Sequence, residues 1–409
     1  MPPQNPETTF GSLGIAPTIL ETIDRLGFKN PTPIQHKAIP AAIEQKDIIG
    51  IAQTGTGKTL AFGIPMIQLI LQSQRKKGLI ILPTRELALQ VDETLAKIGR
   101  PLGLKTAVII GGTSVGQQVQ TIRRNPDIII GTPGRINDHL EQKNLSLQNV
   151  SVLVLDEADR MFDMGFAPQI NKILHALPKD RQTLLFSATM PDDIARIAST
   201  HMRLPVRVEI AKQGTTAQNV EHELFIVPKN QKISLLKKVL AEYKGSVLIF
   251  VRVKFGAKRI CHDLKQSGIS TAEIHSNRTL NQRREALEGF KMGKYRVLAA
   301  TDIASRGIDV KGIELVINYD LPENAEDYVH RIGRTGRAGM KGKAISFVLP
   351  DQGSKIREIE KLARIYLPIS KLPENLPIAA PQSDSEHRRG NFRQHRNSWR
   401  GQRNWNKRR

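Results

Sequence analysis

Nine residues, Ile51–Thr59, read Ile-Ala-Gln-Thr-Gly-Thr-Gly-Lys-Thr and have the form A-x-x-x-x-G-K-T. In a phosphate-binding loop of this kind the glycines let backbone N–H groups turn inward around a phosphate. The lysine reaches the β/γ-phosphates, and the final hydroxyl binds Mg²⁺. A plain glycine-rich turn is the alternative, and Ala52 stands where Gly is more common. The Gly-Lys-Thr ending between an apolar run and the helix-like stretch Leu60–Leu71 favours a nucleotide site. Its candidate ligands are Gln53, Thr54, Gly55, Thr56, Gly57, Lys58, Thr59 and Leu60.

A pair of acids suited to phosphoryl transfer lies further along the chain. Ser151–Leu155 has the pattern of a buried strand and ends in Asp156-Glu157-Ala158-Asp159. An acid at the end of such a strand in a P-loop ATPase holds the Mg²⁺ that bridges the phosphates. We assign that role to Asp156, acting through water, with Thr59 as the other metal contact. Glu157 is then placed to orient or deprotonate the attacking water. A solvated acidic turn is the alternative, which the upstream loop disfavours.

Arginines form the third candidate group. Arg331, Arg334 and Arg337 follow His330 closely in the sequence. A planar guanidinium brought across a cleft stabilises the charge on a γ-phosphate, whereas the alternative is a basic surface turn. If these arginines act on the phosphate, hydrolysis requires two domains to close on each other, and ATP would drive the closing.

Composition limits the kind of protein that carries these groups. A chain of 409 residues is long enough for two domains with separate cores. No apolar run approaches the length needed to span a bilayer, and the polar segment Met1–Thr9 does not resemble a signal peptide. A single cysteine, Cys261, excludes an internal disulfide framework and a Cys-based metal site. We therefore expect a soluble protein of a reducing compartment, the cytoplasm, without a membrane partner.

The formal net charge of +22 predicts a polyanionic partner, with nucleic acid as the first candidate. Charge alone does not separate RNA from DNA, or either from an anionic membrane.

Short apolar runs alternate with amphipathic stretches such as Arg85–Ile98, Ile170–Ala176, Gln231–Tyr243 and Gln282–Met292, as in parallel sheets wrapped by helices. The predicted strands are Ile48–Ala52, Leu79–Leu82, Ala107–Ile110, Ile128–Ile130, Val152–Leu155, Thr183–Phe186, Leu224–Val227, Val247–Val251, Val297–Ala300, Leu315–Asn318 and Ala344–Leu349. We predict an α/β fold with one parallel-sheet domain over residues 1–209, a linker at 210–219, and a second such domain over 220–370. Asp156, Ser187 and Thr301-Asp302 follow strand ends, where ligands of open α/β sheets bind.

The composition changes in the last part of the chain, residues 371–409. Pro373, Pro377 and Pro381 predict an extended spacer. His387–Arg409 then holds nine Lys or Arg and no acid, interleaved with Phe392, Trp399 and Trp405. It has too few apolar residues to fold, but it offers cations for phosphates and rings on which bases stack. We predict a disordered tail that binds nucleic acid; a merely solubilising basic tail is the alternative.

From Phe10 to about Pro350 the chain resembles the DEAD-box RNA helicases, whose name is spelled by Asp156-Glu157-Ala158-Asp159. The stretch from Gly27 to Gln35 is similar to that family's Q motif. The resemblance implies two tandem RecA-like domains, ATP and Mg²⁺ as cofactors, and RNA as the substrate. It also implies that Gln35 reads the adenine edge, with Phe10 and Phe28 near the base.

Further stretches match the family in order, and the resemblance gives each a role. The implied RNA contacts are Pro83, Thr84, Arg85, Gly112, Thr132, Pro133, Gly134, Arg135, Thr301, Asp302 and Arg306. The implied coupling residues are Ser187, Thr189 and His330, Asp309 is placed near the ribose, and Arg334 and Arg337 match the arginine fingers. One position departs from the pattern: Leu280 stands where the family often has Gln, three residues before Arg283.

Three functions are compatible with these features. The first is an ATP-dependent RNA helicase that locally unwinds short duplexes, and the compact core with its basic tail resembles the bacterial RhlE-like type. The second is an RNA clamp or annealing chaperone in which ATP times release. The third is a DNA translocase. We expect ribosome-assembly or RNA-decay proteins as partners, and the sequence does not predict the oligomeric state.

Overall fold

The computed structural model describes residues 9–53, 55–73, 76–210, 220–302, 310, 312–336, 341–363 and 365–378. Its strands form two separate seven-stranded sheets in which every pair of neighbours is parallel. Helices on both faces connect the strands, because a parallel crossover needs a segment long enough to return to the same edge. The predicted α/β class with two tandem parallel sheets is confirmed.

The first sheet has the order β3-β4-β2-β5-β6-β1-β7. Its strands are β1 Ile48–Ile51, β2 Lys77–Ile81, β3 Thr106–Ile109, β4 Ile128–Gly131, β5 Val150–Leu155, β6 Gln182–Ser187 and β7 Val206–Glu209. The helices of this half are α1 Pro17–Arg25, α2 Pro33–Ile43, α3 Lys58–Leu71, α4 Arg85–Gly99, α5 Val115–Arg123, α6 Pro133–Glu141, α7 Ala158–Asp163, α8 Ala167–Ala176 and α9 Asp192–His201.

The second sheet has the order β10-β11-β9-β12-β13-β8-β14. Its strands are β8 Val220–Ile226, β9 Val247–Phe250, β10 Thr271–Ile274, β11 Val297–Ala300, β12 Leu315–Asn318, β13 Gly342–Val348 and β14 Ile369–Ser370. The helices are α10 Lys232–Glu242, α11 Lys254–Gln266, α12 Leu280–Lys291, α13 Ala325–Ile332 and α14 Gly353–Ala363.

Alternation along each strand builds a hydrophobic core on both faces of the first sheet. Ile48 and Ile80 belong to one cluster, and their neighbours Ile49 and Ile81 belong to the cluster on the opposite face. Successive side chains of a strand point to opposite faces, so a strand buried on both sides must be apolar throughout. Each fully buried Ile or Leu contributes about 1.5–3 kcal/mol relative to an exposed one. These cores fix the strand ends, and with them the loops that carry the candidate site.

Residues 371–378, predicted as the beginning of the spacer, pack against the second sheet's domain. Leu372 and Leu376 lie against its hydrophobic cluster. Gln231 Nε2 donates to the carbonyl of Leu376, and Ser234 Oγ donates to that of Pro377. The part of the tail that follows, from residue 379 on, lies outside the described residues. Among the described helices, none combines the length and the apolar character that a bilayer crossing requires.

Candidate active site between two parallel sheets

Strand order divides the carboxyl edge of the first sheet into two halves. The loop with Gly57, the acid Asp156 and the segment from Ser187 follow β1, β5 and β6, which are neighbours in the sheet. The loops with Arg85, Gly112 and Thr132 follow β2, β3 and β4, which are also neighbours. The predicted nucleotide residues therefore lie side by side in one half of the edge, and the predicted first-domain RNA residues lie side by side in the other.

The phosphate-binding loop has the backbone that its glycines predict. Gly55 and Gly57 have φ angles of +87° and +92°, a region that glycine enters without strain. Lys58 begins α3, and its ammonium is buried. Its Nζ lies 3.6 Å from Asp156 Oδ1, but no described residue accepts a hydrogen bond from it. A buried ammonium without a hydrogen-bond acceptor fits a loop that holds an anion.

Gln35 is joined directly to the phosphate-binding loop. Its Nε2 donates to the carbonyl of Gly57 at 2.9 Å, and its Oε1 accepts from the backbone N–H of Thr32 at 2.8 Å. An amide keeps one further N–H and one further lone pair after these bonds. A Cβ at Gly57 would lie 2.5 Å from Gln35 Nε2, so glycine is required there for a second reason. Phe10 is buried in the first core, whereas Phe28 is exposed.

Glu157 is an ionised carboxylate held among cations. Burial alone would raise its pKa, but Arg160, Lys58 and Arg334 hold the pKa of Glu157 at about 2. Arg160 Nη1 donates to Glu157 Oε2 at 2.6 Å. Burial raises the pKa of the neighbouring Asp156, against the opposing effect of Lys58. Glu157 has a φ of +52°, a left-handed conformation that costs energy in a non-glycine residue and is typical of functional sites.

The last acid of this turn, Asp159, binds the segment after β6. Its Oδ2 accepts hydrogen bonds from the amides of Ala188 and Thr189 at 3.0 and 2.9 Å, and from the Thr189 hydroxyl at 3.0 Å. The amide of Asp159 donates to Ser187 Oγ at 3.1 Å. Two predicted coupling residues, Ser187 and Thr189, are therefore bonded to the acidic turn.

Arg334 and His330 come from the second half of the chain, on α13 and the turn after it. Both are mostly buried, and both interact electrostatically with the acidic turn of the first domain, Arg334 with Glu157 and His330 with Asp159 and Arg160. Burial lowers the pKa of His330 to about 4, with Arg160 as the second cause. The described structure therefore brings the second domain against the nucleotide half of the first sheet's edge.

Arg331 is bonded within the second domain, although its place in the arginine cluster suggested a role across the cleft. Its Nε and Nη2 donate to the two carboxylate oxygens of Asp302, each at 2.6 Å. Its Nη1 donates to Asn318 Oδ1 and to the carbonyl of Asp320. The guanidinium carbon also lies 5.0 Å from the centroid of the Phe250 ring. Arg331 thus fixes Asp302, a predicted RNA contact, within the second domain.

Arg85 lies against the loop after β3, which carries Gly112, another predicted RNA contact of the first domain. A Cβ added to Gly111 or Gly112 would collide with or crowd its guanidinium, so these glycines let the arginine lie over the loop. Gly112 also has a φ of +79°. Thr84 precedes α4, and its Oγ1 accepts from the N–H of Leu87. Thr132 precedes α6 without capping it through its side chain, and Pro133, Gly134 and Arg135 lie in the first turn of that helix.

Four predicted site residues, Thr54, Arg306, Asp309 and Arg337, lie outside the described residues, as does the linker over 211–219. Pro83 and Thr301 are described and follow β2 and β11.

Comparison with known proteins decides the family. The profile of the DEAD/DEAH box helicases matches residues 32–197, and that of the helicase conserved C-terminal domain matches residues 231–339. The chain is 43% identical over 359 residues to the DEAD-box ATP-dependent RNA helicase CshA of Bacillus cereus, which covers 87% of this chain and 68% of CshA. The chain belongs to the family of DEAD-box ATP-dependent RNA helicases. The predicted family and class of enzyme are confirmed, whereas the RhlE-like sub-type remains a prediction.

Two solved structures indicate how the domains of this DEAD-box helicase are arranged. Saccharomyces cerevisiae Dbp5 bound to RNA and ADP BeF3 is 31% identical, with a TM-score of 0.78 over 89% of this chain and 95% of Dbp5. A DEAD box protein from Methanococcus jannaschii is 39% identical, but its TM-score is 0.52 over 89% of this chain and 99% of its own. A lower score at higher identity is typical of similar domains placed differently. The arrangement here is therefore closer to that of the RNA-bound Dbp5.

Two residues of this DEAD-box helicase that were not among the predicted site residues connect its domains. Arg283 Nη2, on α12, lies 2.9 Å from Glu86 Oε1, on α4, and both side chains are about nine-tenths buried. Glu86 directly follows Arg85, so the ion pair adjoins a predicted RNA contact. The signal was present in the sequence, since Glu86 lies in the stretch from Pro83 to Leu87, but a long-range partner for it was not predictable.

Leu280, which departs from the family pattern, also lies between the domains. It packs against the hydrophobic cluster of the first domain. With Leu89 and Arg283 it lines a cavity of about 470 Å³ between α4 and α12. In this helicase an apolar contact therefore stands where a glutamine would offer an amide.

Proposed function

We propose that this helicase separates short RNA duplexes locally by closing its two domains around ATP and one RNA strand. The observation that supports this most directly is the environment of Glu157. Its carboxylate interacts with Lys58 and Arg160 of the first domain and with Arg334 of the second. Cationic side chains from both domains surround one carboxylate, so the ATPase site is complete only when the two domains are closed.

Lys58 and the backbone of the loop from Gln53 to Leu60 bind the phosphates in this proposal, and Gln35 and Phe28 bind the adenine. The Lys58 ammonium, which has no hydrogen-bond acceptor among the described residues, is suited to this role. So are Gly55 and Gly57, whose φ angles are positive. Mg²⁺ would be held by the Thr59 hydroxyl and, through water, by Asp156, and it would supply charge neutralisation at the phosphates. A site with few protein ligands suits Mg²⁺, which keeps several waters and binds substrate phosphates directly.

Glu157 orients the attacking water rather than storing its proton. A carboxylate with a pKa of about 2 is a weak base near neutral pH, since an efficient general base has a pKa close to the working pH. Arg160 holds one carboxylate oxygen at 2.6 Å, which fixes the direction in which the group faces. Arg334, with Arg337, stabilises the charge that develops on the γ-phosphate.

RNA binds along the other half of the first sheet's edge and across to the second domain. The proposed RNA contacts of the first domain are Pro83, Thr84, Arg85, Gly112 and the start of α6. Those of the second domain are Thr301, Asp302 and Arg306. Closing brings Glu86 and Arg283 together at 2.9 Å beside Arg85. RNA and ATP thus favour the same closed form. The hydrogen bonds of Asp159 then connect the acidic turn at the ATP site to Thr189.

The tail from His387 to Arg409 tethers RNA by phosphate contacts and by stacking on Trp399 and Trp405. Truncation after Gln382 leaves the chemistry intact, so we expect weaker RNA binding and a nearly full ATPase rate at saturating RNA. The salt dependence of binding should flatten by about 0.7 logarithmic units per lost phosphate contact. A lower maximal ATPase rate at an unchanged half-saturating RNA concentration would instead show that the tail takes part in ATP hydrolysis.

We further propose that the protein acts in the cytoplasm, with ribosome-assembly or RNA-decay proteins as its partners.

Glu157→Gln tests the central claim, with the exposed Glu242→Gln as the matched control. The variant keeps the shape of the side chain, so it should still bind ATP and close on RNA. Its turnover should fall by about a hundredfold or more, the range for loss of a group acting on the attacking water. Full turnover by Glu157→Gln would refute the role.

Strand release and annealing of a short duplex, each measured with and without ATP, distinguish the helicase from an annealing clamp. ATPase stimulation by DNA as strong as by RNA would indicate a DNA translocase.

A further inference from the structure

A second concave site lies in the second domain, away from the phosphate-binding loop. It is a cavity of about 180 Å³ between the first turns of α11 and the loop that follows β10. The side chains that matter for its chemistry are Lys254, Phe255 and Lys258 from α11, and His275, Asn277 and Arg278 from the loop. None of these residues takes part in the nucleotide site described above.

The walls of this cavity are basic. Lys254, Lys258 and Arg278 contribute three cations, and the one lining acid, Glu273, forms an ion pair with Arg278. Lys254 Nζ donates to Asn277 Oδ1 at 3.1 Å, which joins the two walls. The remaining positive charge attracts an anion, as a phosphate of a nucleic acid strand would be.

An exposed aromatic ring stands among these cations. Phe255 is 63% exposed, and Lys254 Nζ lies 5.3 Å from the centroid of its ring. A large apolar side chain exposed in a basic concavity is not accounted for by core packing. Aromatic rings beside cations are what single-strand binders use as stacking platforms for bases.

His275 lines the cavity as a buried ring beside Glu273. The residue is 4% exposed, and neither ring nitrogen has a hydrogen-bond partner among the described residues, although Nε2 lies 3.5 Å from Glu273 Oε2. Burial lowers the pKa of His275, so the ring is neutral near pH 7. A neutral imidazole offers one donor and one acceptor, and buried groups of this kind are normally paired.

Sheet order places the cavity beside the predicted RNA contacts of the second domain. Strand β11 lies between β9 and β10, and Thr301 and Asp302 follow β11 directly. The cavity is formed by the segments after β9 and β10, at the same edge. The cavity and the predicted contacts Thr301 and Asp302 therefore lie at one edge of the second sheet.

We propose that this cavity receives one nucleobase of the bound RNA strand, stacked on Phe255, while the flanking cations hold its phosphates. The proposal rests on the RNA-unwinding function proposed above. A cavity of about 180 Å³ is smaller than the roughly 300–1,000 Å³ of sites that enclose whole small molecules, so a base fits better than a free nucleotide. Stacking is tolerant of sequence, so this base contact does not make the helicase sequence-specific.

The test uses the full chain with a non-hydrolysable ATP analogue and a single-stranded RNA oligomer. One abasic nucleotide, which keeps its phosphate, is moved through the oligomer position by position, and the Kd is measured each time. Phe255→Ala is compared with Phe255→Trp, which keeps a stacking ring, and with Tyr366→Ala, which removes an exposed aromatic ring elsewhere in the domain.

We expect one abasic position at which the unsubstituted protein loses about fivefold or more in affinity, the lower end of what one stacked base contributes. Phe255→Ala should lose as much with intact RNA and nothing further at that abasic position. Phe255→Trp should restore the dependence, and Tyr366→Ala should behave like the parent. Unchanged binding by Phe255→Ala, or additive losses, would overturn the proposal, as would a change only in salt dependence. Failure of the parent protein to bind any RNA would instead refute the underlying function.

Discussion

A single carboxylate oxygen, Oδ2 of Asp159, accepts hydrogen bonds from both the amide and the hydroxyl of Thr189, at 2.9 and 3.0 Å. Asp159 belongs to the turn after β5, which carries the proposed catalytic residue Glu157, and Thr189 belongs to the segment after β6. In the proposed mechanism, displacement of the acidic turn when the γ-phosphate leaves would therefore move the segment with Thr189. The Asp159 side chain in this contact is buried.

Thr189→Val removes the hydroxyl bond but keeps the shape of the side chain. A hydrogen bond to a charged group contributes about 1.5–3 kcal/mol. Its loss should weaken the coupling between movements of the acidic turn and movements of the segment with Thr189. We expect RNA-stimulated ATP hydrolysis to stay within about threefold while strand release falls by about tenfold. Thr189→Ser, which keeps the hydroxyl, is the control. Equal losses in both rates would contradict a coupling role.

Arg334→Ala should slow RNA-stimulated ATP hydrolysis by on the order of a thousandfold, as loss of an arginine finger does. ATP binding without RNA should change little, because the first domain holds the nucleotide. Arg357→Ala, which removes an exposed arginine of α14, should leave the rate unchanged. A fragment ending near Glu209 that hydrolysed ATP at the full RNA-stimulated rate would disprove the two-domain site.

Arg283→Glu should weaken RNA binding in the presence of an ATP analogue by at least about tenfold. It places two carboxylates together where the ion pair of 2.9 Å now stands, and like charges in a mostly buried contact oppose closing. The double variant Arg283→Glu with Glu86→Arg restores opposite charges and should recover much of the loss. Binding without nucleotide should respond far less. If the double variant is no better than the sum of the single changes, the pair does not stabilise closure.

Closing should weaken at mildly acidic pH through His330. Burial lowers its pKa to about 4, with Arg160 and Arg334 acting in the same direction and Asp159 and Asp327 opposing. An exposed histidine has a pKa of about 6.5, so the closed form binds fewer protons than the open form between these values. Nucleotide-dependent RNA affinity should therefore be full above about pH 6.5 and fall by up to about tenfold per unit below it.

His330→Asn, which has no titrating ring, should remove this part of the pH dependence. His262→Asn, at an exposed position on α11, should keep it. An unchanged pH profile in His330→Asn would show that other groups control closing in this range.

Sequence patterns predicted the central strands well because these are apolar throughout, as for Val297–Ala300 and Leu315–Asn318, which have the predicted bounds. Strand β10, Thr271–Ile274, was missed because it carries Glu273, which breaks the apolar run. The edge strands β7 and β14 were missed as well, since a short or partly exposed strand needs no continuous hydrophobic pattern.

The nucleotide motifs were predictable since each is a local stretch whose residue types suffice for its chemistry. The roles of Arg331 and Arg283 were not, because both depend on partners far away in sequence. Asp302 lies 29 residues before Arg331, and Glu86 lies in the other domain. Local spacing shows that a guanidinium is present, but only the fold shows which carboxylate it meets.

Leu280 gives the closed form an unusual dependence on temperature. Its side chain packs against the first domain's hydrophobic cluster, across the contact between the two domains. Apolar contacts weaken on cooling, because their driving force near ambient temperature is mainly the entropy of the water they release. A glutamine there would contribute through hydrogen bonds instead. The contribution of this contact to the closed form therefore decreases on cooling.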